Sequence, residues 1–170
     1  MVYLPRVRRL FLLAALALAV AGCGSKSSAP PTTTQAARPD PASGIGGRTI
    51  YQGGDWTVVM KGDTAVALHL VGDVWRPDRT GRVKVVLLGP HGVQPPTTQV
   101  AAALSAPTRL VESALWVDGV ELLEKGGGLT PTRGTIYGAT NGLAKGKHVV
   151  VAYARTATAA TAVARTFTVR

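Results

Sequence analysis

From about Arg48 to the C-terminus, apolar and polar residues alternate with a period of two over short runs. Successive side chains of a β-strand point to opposite faces, so this pattern is typical of half-buried strands. Gly, Pro, Asp and Asn separate the runs and end regular structure there. The clearest runs are Trp56–Met60, Val66–Leu70, Val83–Leu87, Leu115–Val117, Val149–Tyr153 and Val163–Val169. Seven to nine strands over about 120 residues predict an all-β fold, an antiparallel β-sandwich over residues 48–170.

The clearest turn in the sequence is Asp118-Gly119, which separates two apolar runs. It predicts a hairpin with a type I′ turn, because Gly tolerates the positive φ that such a turn requires. Two Ala-rich stretches, Gln99–Leu104 and Ala157–Ala164, favour helix by propensity. We predict strand or loop for both, because strand patterns flank them. Trp56 and Trp116 alternate with polar neighbours or strand partners and are predicted to lie in the core.

Three segments in the last third of the chain share a pattern with a known fold. They are LWVDG at 115–119, LAKGKHVVVAYA at 143–154 and TFTV at 166–169. Together they resemble bacterial immunoglobulin-like (Ig-like) domains, which often carry a V-D-G hairpin, a G-x-H-x-V strand and a terminal F-x-V strand. The resemblance implies an Ig-like sandwich and says little about activity. Between the last two segments, residues 156–161 contain only Thr and Ala, where the family usually has Asp and Gly.

The resemblance covers about 60 residues, from Arg109 to the end of the chain. Residues 49–104 show strand patterns without a family pattern. We assume that they complete the same sandwich; a separate small β unit is the alternative.

Residues 1–22 have the order of a secretory signal, with three arginines, an apolar run at Leu10–Val20 and small residues after it. A run of this length is shorter than the roughly 20 residues that span a bilayer, which makes a retained transmembrane helix the weaker alternative. Val20-Ala21-Gly22-Cys23 resembles the lipobox of bacterial lipoproteins. That resemblance implies cleavage before Cys23 and lipidation of its thiol, and two or three acyl chains would anchor it stably. An ordinary signal peptide with a chance cysteine is the alternative.

The export route stays open. Arg8-Arg9-Leu10-Phe11-Leu12 resembles the core of a twin-arginine signal, although Val7 and Leu13 depart from it, and general secretion is the other route. After the signal, residues 23–47 are rich in Ser, Thr, Pro, Ala and Gly, which predicts a lipidated cysteine followed by a disordered tether.

The chain is basic, with a formal charge of +10 that falls to +7 when residues 1–22 are removed. In an exported protein this charge favours anionic lipid headgroups or anionic wall polymers, and nucleic acid is not an expected partner. A diffusely basic surface without a dedicated ligand is the alternative. Cys23 is the only cysteine, so the domain after it contains no disulfide, thiolate nucleophile or cysteine metal site.

No catalytic motif is present in the sequence, and we predict a protein that is not an enzyme and has no cofactor. His69, His91 and His148 lack metal-ligand spacing and are interpreted as structural or solvated. The alternative is a copper or zinc site that uses one or more of these histidines.

The candidate binding surface is the loop between Gly72 and Arg82, which gathers Trp75, Arg76, Arg79 and Arg82. An aromatic ring with several guanidinium groups suits a carbohydrate, an anionic polymer or a protein partner. Pairing of Asp73 and Asp78 with the arginines, which would leave a solvated turn, is the alternative.

The sequence thus predicts a non-enzymatic Ig-like lipoprotein on the extracytoplasmic side of the cell membrane. It would present a binding or structural module to an envelope protein or an anionic wall polymer. An envelope metal-binding protein is the alternative.

Overall fold

A computed structural model describes residues 38–122 and 125–170. The predicted signal peptide, Cys23 and the first part of the predicted tether lie outside the described residues. Within the described residues there is no helix, and all regular structure is strand. The strands are β1 (Arg48–Gly53), β2 (Trp56–Lys61), β3 (Thr64–Val71), β4 (Val74–Pro77), β5 (Lys84–Gly89), β6 (Val93–Gln94), β7 (Gln99–Ser105), β8 (Glu112–Val117), β9 (Val120–Glu121), β10 (Lys125–Thr130), β11 (Arg133–Ala139), β12 (Gly146–Arg155) and β13 (Ala160–Val169).

Two of the three sheets form the sandwich. The far sheet has the order β10-β11-β7-β5, and the central sheet has the order β6-β13-β12-β8-β9. Seven strands lettered A to G in chain order (β5, β7, β8, β10, β11, β12 and β13) give sheets with the order ABED and CFG, which is the immunoglobulin arrangement. All pairs are antiparallel except the short pair of β6 with β13. The predicted all-β fold with an antiparallel β-sandwich is therefore confirmed.

The third sheet, here called the outer sheet, has the order β1-β2-β3-β4 and forms a layer of its own. The assumption that the first half completes the same sandwich thus holds for β5 to β7 but not for residues 48–77. Tight turns at Gly54, Gly62 and Gly72, each with a positive φ, join these strands. Each strand pairs with the next one along the chain, and among the described residues none forms a ladder with a strand of the sandwich.

The central sheet is buried on both faces. One face packs against the far sheet through Leu115, Val150 and Phe167, and the other packs against the outer sheet through Trp116 and Tyr153. On the outer sheet the partners are Trp56, Val58 and Ala67. Trp56 and Trp116 are 4% and 1% exposed, which confirms both as core residues.

Burial on both faces explains the composition of β12. Its run from His148 to Ala154 is apolar at almost every position, as expected for a strand without a solvent face. The period-two pattern there separates two apolar faces rather than an apolar face from a polar one.

Residues 38–47, which the sequence assigns to the tether, contact the outer sheet. Residues 41–46 form turns across the second face of the outer sheet, where Val59 and Leu68 are buried. Side chains of the sheet hold this segment by its backbone: Lys61 Nζ donates to the Ile45 carbonyl at 3.0 Å. Gly47 lies so close to Val59 and the Met60 carbonyl that a Cβ would clash with both. The tether composition does not reveal these contacts, because they use backbone carbonyls and a glycine.

The predicted hairpin and the six clearest strand runs agree with the structure, although the described residues contain 13 strands rather than seven to nine. Asp118 and Gly119 have φ of 52° and 80°, as a type I′ turn requires. The Ala-rich stretches are β7 and the start of β13, because burial between neighbouring strands outweighs helical propensity. In the turn before β13, the Thr156 hydroxyl accepts from the Ala159 amide at 3.1 Å and takes the place of the Asp usual in the family.

Leu115 and Trp116 are adjacent on β8 and face opposite sheets, so substituting each one tests whether the stability of the outer sheet depends on its contact with the central sheet. We expect Trp116→Ala to cost about 3–5 kcal/mol and Leu115→Ala about 2–5 kcal/mol of unfolding free energy. Because Trp116 faces the outer sheet, Trp116→Ala should lower the hydrogen-exchange protection of β2 and β3 more than that of β5 and β7. Leu115→Ala, on the opposite face, is the matched control and should lower protection in β5 and β7. Equal loss in both sheets for both variants would contradict the layered packing.

Candidate functional site

The four residues of the predicted surface lie in three places. Residues 74–77 form the edge strand β4 rather than a loop, so consecutive side chains point to opposite faces of the outer sheet. Trp75 lies on the face covered by residues 39–45, while Arg76 lies on the other face with Arg79. Arg82 lines a different groove. The structure therefore brings together Arg76 and Arg79 only.

Trp75 is held by the N-terminal end of the folded chain. Its indole Nε1 donates to the Pro39 carbonyl at 2.7 Å, and the Arg38 guanidinium lies 5.8 Å from the ring centroid. Arg38 also donates to the Gly54 carbonyl and pairs with Asp55. Trp75 therefore fastens the start of the domain to the outer sheet.

Arg76 and Arg79 line a groove of about 390 Å³, here called the arginine groove. It lies where the outer sheet meets the turn between β12 and β13. Its lining residues are Trp56, His69, Val71, Arg76, Pro77, Asp78, Arg79, Thr80 and Thr158. The walls thus combine two guanidinium groups with apolar and ring surfaces.

The ring pair of the groove is set by strand register. Trp56 and His69 are direct partners across β2 and β3, and their rings stack with centroids 4.1 Å apart and planes 9° apart. His69 is also the partner of Arg76 across β3 and β4, which places a guanidinium beside the imidazole.

The carboxylate of Asp78 lines the same groove but forms no ion pair with Arg76 or Arg79 in the described structure. Its Oδ2 accepts from the Ala160 amide at 2.6 Å and its Oδ1 from the Thr80 amide at 2.8 Å, so it fixes the turn against β13. The three ion pairs among the described residues involve Arg38, His148 and Arg155. Neither Asp73 nor Asp78 pairs with Arg76 or Arg79 there, which contradicts the alternative of a turn with paired charges.

The three segments that resemble Ig-like domains converge on one half-buried cluster. The Asp118 carboxylate accepts from the Val149 amide at 2.9 Å and lies 2.7 Å from His148 Nδ1. His148 Nε2 faces the Ala144 carbonyl at 2.8 Å, and its ring packs 5.5 Å from that of its strand partner Phe167.

Both ring nitrogens of His148 face acceptors, an arrangement that suits the doubly protonated imidazolium. The hydrogen bond to Asp118, followed by that to Ala144, raises the pKa of His148 above its usual 6.5. Arg48 of β1 donates to the Asp118 carbonyl at 2.6 Å and ties the outer sheet to the same turn. The cluster is a structural latch, in keeping with the interpretation of His148 as structural.

The other two histidines are not part of this latch. His69 stacks on Trp56, and His91 Nε2 donates to the Leu88 carbonyl at 2.8 Å while Nδ1 accepts from Arg165 at 3.0 Å. In the described part of the chain, no group of three or more His, Cys, Asp and Glu residues could hold a metal ion.

A polar network that the sequence did not suggest joins the outer and central sheets. The Tyr51 hydroxyl donates to one oxygen of Glu112, and Arg155 Nε donates to the other at 2.5 Å. Burial, and then the Glu112 carboxylate, raises the pKa of Tyr51 to about 12, so it stays a proton donor. Burial raises the pKa of neighbouring Tyr153 as well. The three network residues lie on β1, β8 and β12, and no local pattern connects such distant positions.

No protein-family profile matches this chain, and no curated protein matches it. In the residues that the structure describes, no helix is long and apolar enough to cross a membrane.

The latch predicts a pH dependence of stability. With its folded pKa above 6.5, His148 contributes stability that is fully present below pH 6.5 and is lost as the pH rises through the folded pKa. Asp118→Asn keeps the turn, because Asn tolerates positive φ, but removes the charge. Because the Asp118 side chain is 45% exposed and solvent screens the pair, we expect it to lower the unfolding free energy by about 0.5–1 kcal/mol at pH 5.5, with a smaller difference from the native chain at pH 8.5.

Urea unfolding at pH 5.5, 7.0 and 8.5 measures this effect. Asp63→Asn, in an exposed turn, is the matched control and should follow the native profile. A pH profile for Asp118→Asn parallel to that of the native chain would argue against a charged latch.

Proposed function

We propose that this chain is a lipid-anchored, non-enzymatic binding protein of the cell envelope, which captures an acidic segment of a partner protein in the arginine groove. The observation that carries the proposal is the pair Arg76 and Arg79, whose guanidinium groups line a groove without an ion-pair partner among the described residues. Two guanidinium groups without an ion-pair partner can bind a carboxylate in a forked, charge-assisted geometry.

The apolar part of the groove favours a peptide over a bare anion. Val71 is 50% exposed, and it lines the groove with Pro77 and the Trp56–His69 ring pair. Such a surface accommodates an aliphatic or aromatic side chain next to an acidic one. A charged centre with an apolar anchor is the composition of many protein contact sites.

The side chains of the groove give no support to hydrolysis. Its carboxylate, Asp78, accepts two backbone amides, and in the described structure no hydrogen bond joins Thr80 or Thr158 to His69. A hydroxyl nucleophile requires a base within hydrogen-bond reach. These features support a binding role.

The position of the folded boundary agrees with a membrane tether. Fourteen residues separate Cys23 from Arg38, and a chain of this length reaches about 50 Å at most. Lipid anchoring at Cys23 would therefore hold the domain close to the bilayer. The domain is fastened through Arg38 and Trp75 on one face of the outer sheet, while the groove opens on the other.

The groove can be tested with a photoreactive residue at position 71 in living cells. We expect the native groove to crosslink a protein through an acidic segment, and Arg76→Gln with Arg79→Gln to reduce the yield at least tenfold, because both carboxylate ligands are lost. Mass spectrometry of the crosslinked peptide identifies the partner segment.

Arg109→Gln with Arg170→Gln provides the matched control. These two exposed arginines lie outside the groove, and replacing them removes the same charge as the double change in the groove. Crosslinking should stay within twofold of the native yield. An equal loss in both double variants would show that net charge, rather than the groove, directs binding, and crosslinks to segments without acidic residues would also count against the proposal.

The anchor is tested by the mass of the N-terminal peptide from the native host. We expect the chain to begin at Cys23 with a diacylglyceryl group on the thiol, and Cys23→Ser to retain residues 1–22 and to lose its lipid. Ser25→Ala, two residues beyond the lipobox, should be processed like the native chain. An unmodified Cys23 thiol, or an intact leader on the native protein, would refute the anchor.

A further inference from the structure

The solvent face of the far sheet carries a cationic row at one end. Lys84 pairs with Ser105 across β5 and β7, and Ser105 pairs with Arg133 across β7 and β11. Directly paired residues of neighbouring strands point to the same face, so the three side chains stand in line. Each step between paired backbones is about 5 Å, which places the Lys84 and Arg133 backbones about 10 Å apart.

These residues line a second groove, distinct from the arginine groove. It has a volume of about 200 Å³ and is here called the cationic groove. It is lined by Arg82, Lys84, Ser105, Ala106, Pro107 and Arg133. Three of these residues are cationic, none is acidic and none is aromatic.

The positive charges of the cationic groove are uncompensated. Lys84, Arg82 and Arg133 are exposed, and in the described part of the chain their side chains form no ion pair. The hydrogen bonds of Arg82 and Arg133 to the Thr80 and Thr130 hydroxyls come from their backbone amides, not from their guanidinium groups. Three like charges around one concave site repel one another, and a bound anion relieves that repulsion.

The donor set fits tetrahedral oxyanions. Lys84 and Arg133 have side chains long enough to meet over Ser105, whose hydroxyl lies between them. Arginine offers a planar fork of donors, lysine a compact charge and serine a neutral donor, and a phosphoryl group has oxygens for all of them. The cationic groove lacks the ring and valine surfaces of the arginine groove, so it offers little to a peptide side chain.

We propose that the cationic groove is a binding site for phosphoryl oxyanions, held by Lys84, Ser105 and Arg133 with Arg82 at its edge. The phosphoryl group belongs either to an anionic lipid headgroup or to free phosphate; the recognition chemistry is the same. This site is independent of the arginine groove and of its acidic partner.

The test is a titration of the full chain in nonionic detergent micelles, followed by amide chemical shifts. Sodium phosphate is added at constant ionic strength, with sodium acetate as the carboxylate comparison. We expect phosphate to shift the amides of Ser105 and Arg133 with a dissociation constant of about 1 mM, and acetate to bind at least tenfold more weakly. Micelles doped with phosphatidylglycerol form the lipid arm. Saturation in that arm alone assigns the site to headgroups, and saturation by inorganic phosphate assigns it to free phosphate.

Variants separate the site from the net charge. Lys84→Gln with Arg133→Gln should weaken phosphate or headgroup binding at least tenfold. Lys145→Gln with Lys147→Gln removes the same charge from exposed positions elsewhere and should change it less than twofold. Arg76→Gln with Arg79→Gln should also leave it unchanged.

Three results would overturn the proposal. They are equal weakening in all the double variants, equal affinity for acetate and phosphate, and no saturable shift at Ser105 or Arg133 with either phosphate or phosphatidylglycerol.

Discussion

Burial of the central sheet on both faces is the constraint on which the rest of the structure depends. Trp116 and Tyr153 project away from the sandwich core, and Tyr51 of the outer sheet packs against both rings. Without the outer sheet these aromatic side chains would form a large exposed apolar patch. Residues 48–77 therefore form an obligatory layer of the domain, and residues 38–47 cover the outer sheet in turn. The chain needs no disulfide, since three layers bury enough apolar surface.

The layers also determine where polar groups can act. Charged side chains at the boundaries between layers form hydrogen bonds across them. Asp78 accepts a hydrogen bond from an amide of β13, and Glu112 accepts hydrogen bonds from Tyr51 and Arg155. These groups use their hydrogen-bonding capacity inside the fold. The arginines of the arginine groove and the cations on the far sheet have no such partners among the described residues. The division between paired and unpaired charge is what separates the structural groups from the groups that we propose to bind ligands.

Local rules were sufficient for the strands, the Asp118-Gly119 turn and the two buried tryptophans. They did not predict the number of layers. The run Val149–Tyr153 sends its side chains to two faces in turn, and this pattern does not show whether one or both of those faces are buried. The four residues of the predicted binding surface lie in three places for a related reason. Residues 74–77 form a strand rather than the predicted loop, and strand alternation places Trp75 and Arg76 on opposite faces. The pairing of Lys84 with Arg133 through Ser105 joins strands about 50 residues apart, and only the sheet order reveals it.

The motif residues explain why resemblance to Ig-like domains is informative about fold and silent about function. The V-D-G hairpin, the G-x-H-x-V strand and the terminal F-x-V strand supply Asp118, His148 and Phe167, which meet in one latch. None of these three residues lines the arginine groove or the cationic groove. The latch holds the sandwich together without using any residue of either groove. A chain could therefore keep the family pattern while its grooves change ligand, so function has to be argued from side chains outside the motif.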